Sequence, residues 1–474
     1  MALTLLVGPA NAGKVERLLD RYLAALGRDP ILIVPNRPDV DWAERELLAK
    51  SPALLGGWIA TFPDIFKQLA DGHPDRRPVA TDTQQALALR GAVARTALNG
   101  LGESARSAGF TDALRDAIVE VEAGLLSPSD LEGPLARLYA AYREELERLG
   151  LWDKNLLNAA AADRLASDLG AWNSRPVFAY GFEDLTATEW ALLEGLAGRT
   201  DVTVSLPYEP GRPAFEWLRD TSDGLQQLAS GSVEELGPRY EDVAHPALAH
   251  LERGLFAGRA AEPPAIDGAI RFLEGAGARG TLELVGEEVL ELLRAETEPG
   301  QIGIVVPSLE RWRRPVETAF GTLGIPYALD APLRFGQTDY GHALLALLRF
   351  AWSGAERNEL FRYLRSPYSG LKRSSVDYVE GRLRGRAIST PGRVEEELEL
   401  LREARLPALD LVRAATSPLD AVNELSVSML QAAYGLERPP ADEGSRNDLR
   451  AFESCRRVLA DLEGWQRIGE PVSR

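Results

Sequence analysis

Leu3-Thr4-Leu5-Leu6-Val7 runs directly into Gly8-Pro9-Ala10-Asn11-Ala12-Gly13-Lys14-Val15, and this stretch decides how the chain is understood. An apolar, β-prone run leads into G-x-x-x-x-G-K and then into a helical pattern over Val15 to Leu26. That is the context a phosphate-binding loop requires. A glycine-rich turn aims backbone N–H groups at phosphate oxygens, the helix N-terminus adds its dipole, and a lysine reaches the β/γ-phosphates. Gly8, Asn11, Ala12, Gly13, Lys14 and Val15 are therefore the candidate nucleotide-binding residues. Position 15 departs from the working pattern, because valine replaces the Ser or Thr whose hydroxyl holds Mg²⁺. ATP and Mg²⁺ are expected as weakened or vestigial ligands. The plain alternative is that Gly8 and Gly13 simply close a strand-to-helix turn.

Outward from the loop, the strand–helix rhythm continues. Pro30 to Pro35 is a short buried-strand pattern, Val40 to Lys50 is helical, and Gly57 to Phe62 is a third strand. Strands alternating with helices predict a parallel α/β sheet. Between about Thr81 and Asp168 the periodicity is helical throughout, so 81–169 is expected as a helical insertion. The sheet resumes with Pro176 to Phe182 and Val202 to Pro207. The first lobe thus covers 1–80 and 170–253, and 254–267 has the small, proline-containing composition of a linker. A second α/β unit is expected over 268–341, with strands at Ile270 to Leu273, Ile302 to Pro307 and Ile325 to Leu329. From His342 to the end (342–474) the pattern is helical again.

Composition bounds the function. The 474 residues are too many for one core, and 45% hydrophobic with 26% charged residues is a globular profile. No apolar run is long enough to span a bilayer, and the N-terminus lacks a basic signal-peptide region, so a cytoplasmic location without membrane contact is expected. One cysteine, Cys455, leaves no internal disulfide and no iron–sulfur cluster within this chain. The four histidines are scattered and are read as structural or surface residues. A net charge of −18 opposes a general electrostatic grip on nucleic acid, so a DNA role needs local basic strips or a basic partner.

Four segments in order then resemble a known family. The loop at Gly8–Val15, the strand end Thr61-Phe62, and Tyr180-Gly181-Phe182-Glu183-Asp184-Leu185-Thr186-Ala187-Thr188-Glu189, followed by Phe272 to Glu283, look like the B subunit of AddAB-type helicase–nucleases. The resemblance implies a UvrD-like, superfamily 1 helicase core: α/β, with two RecA-like P-loop lobes, each interrupted by a helical subdomain, and 342–474 as a truncated second subdomain. It also implies a C-terminal PD-(D/E)XK nuclease domain, for which this sequence shows no metal-binding acid and lysine set, so the chain is expected to be an N-terminal portion. The implied partners are an A-type motor subunit and DNA, as a single strand or a duplex end.

Departures from an active helicase accumulate. Val15 lacks the hydroxyl, and Tyr180-Gly181-Phe182 stands where the Asp-Glu pair is expected. Glu183 and Asp184 follow as weak catalytic candidates, or as ordinary turn acids. Pro307 stands where an arginine would stabilise the transferring phosphoryl group, with Arg311, Arg313 and Arg314 nearby. Missing several such groups removes several kcal/mol of transition-state stabilisation, so a DNA-guiding non-motor for double-strand break repair and recombination is the primary expectation. A weakly active DNA-dependent ATPase and a structural module without DNA are the alternatives. Thr61, Phe62, Tyr208, Arg313 and Arg314 are the DNA-contact candidates, each also readable as packing or as a solvated helix face.

Overall fold

The computed structural model describes residues 3–98, 100–258, 262–329, 333–354, 357–401, 406–442, 445–468 and 472–473. The chain divides into two compact units, one running to Arg271 and one beginning at Phe272.

The first unit is built on continuous apolar runs. β1 (Leu3–Gly8) is followed by α1 (Lys14–Ala24), β2 (Ile31–Ile33), α2 (Arg37–Lys50), β3 (Trp58–Ala60) and α3 (Phe62–Ala70). Then come α4 (Asp82–Arg95), α5 (Ala108–Ala123), α6 (Gly133–Leu149) and α7 (Lys154–Ser167). β4 (Val177–Ala179), α8 (Ala187–Ala197), β5 (Val202–Pro207), α9 (Arg219–Ala229), β6 (Val233–Glu235), α10 (Tyr240–Val243) and α11 (Pro246–Gly254) complete it. All pairings are parallel, in the order β3-β2-β4-β5-β1-β6. Such a sheet must be covered on both faces, and the strand period of two delivers that cover. Leu3, Leu5, Val7, Ile31, Ile33, Val177 and Ala179 enter the cluster that includes α3, α7 and α8. Leu6, Leu32 and Phe178 enter the opposite cluster, under α1 and α2.

Helices α4 to α6 lie between two chain segments that are hydrogen-bonded to each other. Ala80 N–H donates to Trp152 O (2.7 Å) and Trp152 N–H to Pro78 O (2.9 Å), tying the two ends of this helical stretch together. Within it, Thr81 and Gln84 cap α4 reciprocally. Helix α7, read from sequence as part of 81–169, instead lies on the sheet face: Leu157, Ala161 and Leu165 are in the sheet's core and Arg164 donates to Leu69 O at 2.8 Å. Its apolar stripe has the same period either way, so only tertiary contacts separate the two placements.

The second unit departs from its expectation. Its elements are α12 (Gly277–Arg294), α13 (Leu309–Leu323), α14 (Asp339–Ser353), α15 (Arg357–Leu364), α16 (Arg373–Gly385), α17 (Pro391–Leu401), α18 (Pro407–Ala414), α19 (Pro418–Tyr434) and α20 (Arg446–Arg467). Among its described residues there is no strand. The segments 270–273, 302–307 and 325–329 run without strand pairing, and Phe272 (92% exposed) and Val305 (97%) face solvent. A β-prone run becomes a strand only when another edge supplies its hydrogen bonds, and none of the described residues does so here. Two cores hold this unit, a small one between α12 and α13 around Val289 and Phe320 and a larger one beneath α14 to α20 around Phe350, Phe361 and Met429.

Candidate phosphate-binding loop

β1 ends at Gly8, and the turn over residues 9–13 delivers the chain into α1. Two glycines are required by geometry. A Cβ on Gly8 would lie 2.5 Å from the Leu236 carbonyl oxygen, because β6 runs on beside the turn. Gly13 caps α1 in the left-handed region (φ 81°), where an L side chain is strained. Asn11 also takes a left-handed conformation (φ 57°), which asparagine tolerates, and its side chain is exposed while Ala12 is buried.

Lys14 is the first residue of α1 and is 93% buried, its relative exposure being 7%. Its ammonium donates to the carbonyl oxygens of Gly8 (2.7 Å) and Pro9 (2.5 Å), so the side chain curls into its own turn. Burial pushes the Lys14 pKa down to about 8. Val15 packs against the apolar layer beneath α1, alongside Leu18 and Leu6. It offers no oxygen to a cation and is held where no oxygen is wanted.

Further charges cluster near this edge. Glu234 on β6 receives Arg17 (2.9 Å) and Arg21 (2.5 Å) from α1. The Arg239 guanidinium lies beside Gly13, with Nη1 at 3.3 Å from where a Cβ would be. Arg239 is not readable as a loop neighbour from sequence; the only signal is that it follows a Gly-Pro turn after a short, acidic edge strand.

The remaining candidates separate. Glu183 and Asp184 lie after β4, both exposed, in a turn entered through Gly181 (φ 82°), whose absent Cβ leaves room for Pro35. Thr61 donates its N–H (2.9 Å) and hydroxyl (2.8 Å) to Asp64 and caps α3. Phe62 is 2% exposed, with its ring 4.6 Å from that of Phe182, and Tyr208 is 7% exposed in the same core. Both rings are packed in this core, the packing alternative of their sequence reading. In the second unit Arg313 pairs with Glu317 (3.4 Å), and Arg314 is exposed on α13.

Chemically, the turn fits a phosphate: backbone amides at a helix N-terminus, a buried lysine and a nearby guanidinium. Mg²⁺ takes oxygen ligands, and the Val15 side chain supplies none. Among the described residues no group of three His, Cys, Asp or Glu is gathered as a metal site. No helix among them is long and apolar enough to cross a membrane.

The fold and turn together define the first unit as a parallel α/β domain with a glycine-rich strand-to-helix junction. No family model matches the chain. It is 28% identical to the B subunit of the ATP-dependent helicase/deoxyribonuclease of Desulforudis audaxviator, over 80% of this chain and 36% of that protein. Proteins of the same name from Moorella thermoacetica (27% identical, 80% and 37%) and Symbiobacterium thermophilum (26%, 81% and 37%) are similarly related. The chain spans little more than a third of the length of these curated relatives.

Proposed function

We propose that this chain is the helicase-like part of the B-type subunit of a bacterial ATP-dependent helicase–deoxyribonuclease, acting in the cytoplasm in double-strand break repair and recombination. Its role is to hold and channel DNA while an A-type partner subunit hydrolyses ATP. The observation that carries the non-motor reading is Val15, packed against the apolar layer at the position where a hydroxyl would hold Mg²⁺. The relatives' names and the shared length support the assembly.

In this reading the loop retains phosphate affinity without metal-assisted hydrolysis. A bound nucleotide would draw Lys14 off the two carbonyls and onto its phosphates, with Arg239 as a neighbouring cation. The extended segments at 302–307 and 325–329 have the composition of second-lobe strands, and forming that lobe's sheet requires pairing edges beyond the described residues.

Equilibrium binding of a fluorescent ATP analogue to the chain and to Lys14→Ala tests the reading, with and without Mg²⁺, beside phosphate release with DNA present. The expected result is Lys14-dependent, Mg²⁺-indifferent binding and background phosphate release. DNA-stimulated release lost in Lys14→Ala would replace it with the ATPase alternative.

A further inference from the structure

The second unit contains a groove of about 870 Å³ lined by α13, the segment after it and α20. Its charge is opposite to that of the whole chain. Arg313, Arg446, Arg450 and Arg457 line it against Glu317 and Glu453, in a protein of net charge −18. Both acids have partners: Glu317 pairs with Arg313 at 3.4 Å and Glu453 with Arg438 at 3.9 Å.

The α20 arginines form one stripe. Positions 446, 450 and 457, with Ser454 between the last two, recur at helical spacing and fall on a single face. Arg457 donates to Ser454 Oγ at 3.1 Å. The side chains of Arg446 and Arg450 make no hydrogen bond or ion pair among the described residues. Helix stability does not explain them. Both stand near the positive end of the helix dipole, and like charges four residues apart repel. The acid of that first turn, Asp448, is buried and accepts the hydroxyls of Tyr368 (2.5 Å) and Tyr434 (2.6 Å), so it faces away from the stripe's charges. On the opposite wall Tyr327 is 44% exposed.

We propose that this groove binds single-stranded nucleic acid, with Arg446 and Arg450 on neighbouring phosphates, Arg457 on a phosphate further along the strand and Tyr327 as a stacking face. Along the helix axis Arg446 and Arg450 stand about 6 Å apart and Arg450 and Arg457 about 10 Å apart, a linear track suited to an extended strand. A cationic track beside an aromatic face is how sequence-tolerant single-strand binding is achieved. The inference shares with the DNA-guiding reading the premise that the chain meets a nucleic-acid strand, and it extends the contact from Arg313, already a candidate from sequence, to an α20 wall that no sequence motif marks.

The test is anisotropy of a labelled oligothymidine of about twenty nucleotides at varied salt. The proteins are the full chain, the triple variant Arg446→Gln/Arg450→Gln/Arg457→Gln, Tyr327→Ala, and a control with equal charge loss, Arg373→Gln/Arg382→Gln/Arg393→Gln. The groove variant is expected to bind at least tenfold more weakly, with the slope of log affinity against log salt shallower by about 2. Tyr327→Ala is expected to weaken binding at least fivefold with the slope unchanged, and the control to stay within twofold. If the parent chain binds but the groove variants lose no more than the control, the groove is overturned and the DNA-guiding reading stands. If the parent chain shows no salt-dependent binding, both are overturned.

Discussion

Lys14 gives the phosphate-loop reading its sharpest test, because its burial sets where its charge is lost. With a pKa of about 8, it is charged in about nine-tenths of molecules at pH 7 and about one-tenth at pH 9. Only the charged form attracts phosphate. An ATP analogue that uses Lys14 should therefore bind about tenfold more weakly at pH 9 than at pH 7, a loss of about 1.4 kcal/mol. Lys14→Met should bind weakly at both values and show none of this dependence. Stability moves the other way. A lysine whose folded pKa is lowered opposes folding while it is charged, so stability should rise with pH between about 8 and 10.5. Lys14→Met should lose that rise and gain about 2–3 kcal/mol at pH 7. Calorimetric titration at the two pH values and urea midpoints from pH 7 to 10 read both effects. An analogue affinity equal at pH 7 and pH 9, or unchanged in Lys14→Met, would refute the assignment of Lys14 to phosphate.

Other predictions follow from single contacts. Gly8→Ala places a methyl 2.5 Å from Leu236 O and should push β6 from β1, lowering stability by about 2–3 kcal/mol in urea denaturation. Val15→Thr should cost about 1 kcal/mol by putting a hydroxyl into the apolar layer, and Mg²⁺-dependent phosphate release should remain at background. Glu122 is buried in the insertion, and burial followed by the nearby Asp153 raises its pKa. Its folded form thus holds its proton to higher pH than the unfolded chain does. Stability should fall as pH rises through the window just above the ordinary carboxylate range, and Glu122→Gln should flatten that slope in pH-resolved thermal melts.

What the sequence disclosed depended on whether the signal was local. Leu3–Val7, Ile31–Ile33, Trp58–Ala60, Val177–Ala179 and Val202–Leu206 are largely apolar, β-prone runs because both sheet faces are covered, so five strands of the parallel sheet were legible. β6 was not. Val233-Glu234-Glu235 has no apolar run, and it holds the edge by pairing with β1 and by giving Glu234 to Arg17 and Arg21. Gly8 and Gly13 announced the turn, whereas Arg239 approaches it through a contact some 226 positions away in sequence. Phe62 and Tyr208 left two readings open in the sequence: an aromatic at a strand end has the same letters whether it faces a groove or the core. The closure of the sheet's helices over both rings decides the matter.

The second unit turns this distinction into a general point about strands and stripes. Ile302 to Val306 carries a strand's composition, yet Val305 is 97% exposed, because strand formation belongs to a pair of segments and not to one. Composition therefore reports readiness to pair, and only the rest of the sheet converts readiness into structure. The α20 arginines are the converse case. Their spacing is an ordinary exposed helix face in one dimension, and three-dimensional packing makes them one wall of a groove whose other wall carries Tyr327. An acidic chain can then handle a polyanion without being basic overall. Electrostatic attraction falls off over about 8 Å at physiological salt, so the local track and not the net charge governs a phosphate inside the groove. The net charge of −18 acts instead outside it, repelling nucleic acid from other surfaces and favouring entry along the track.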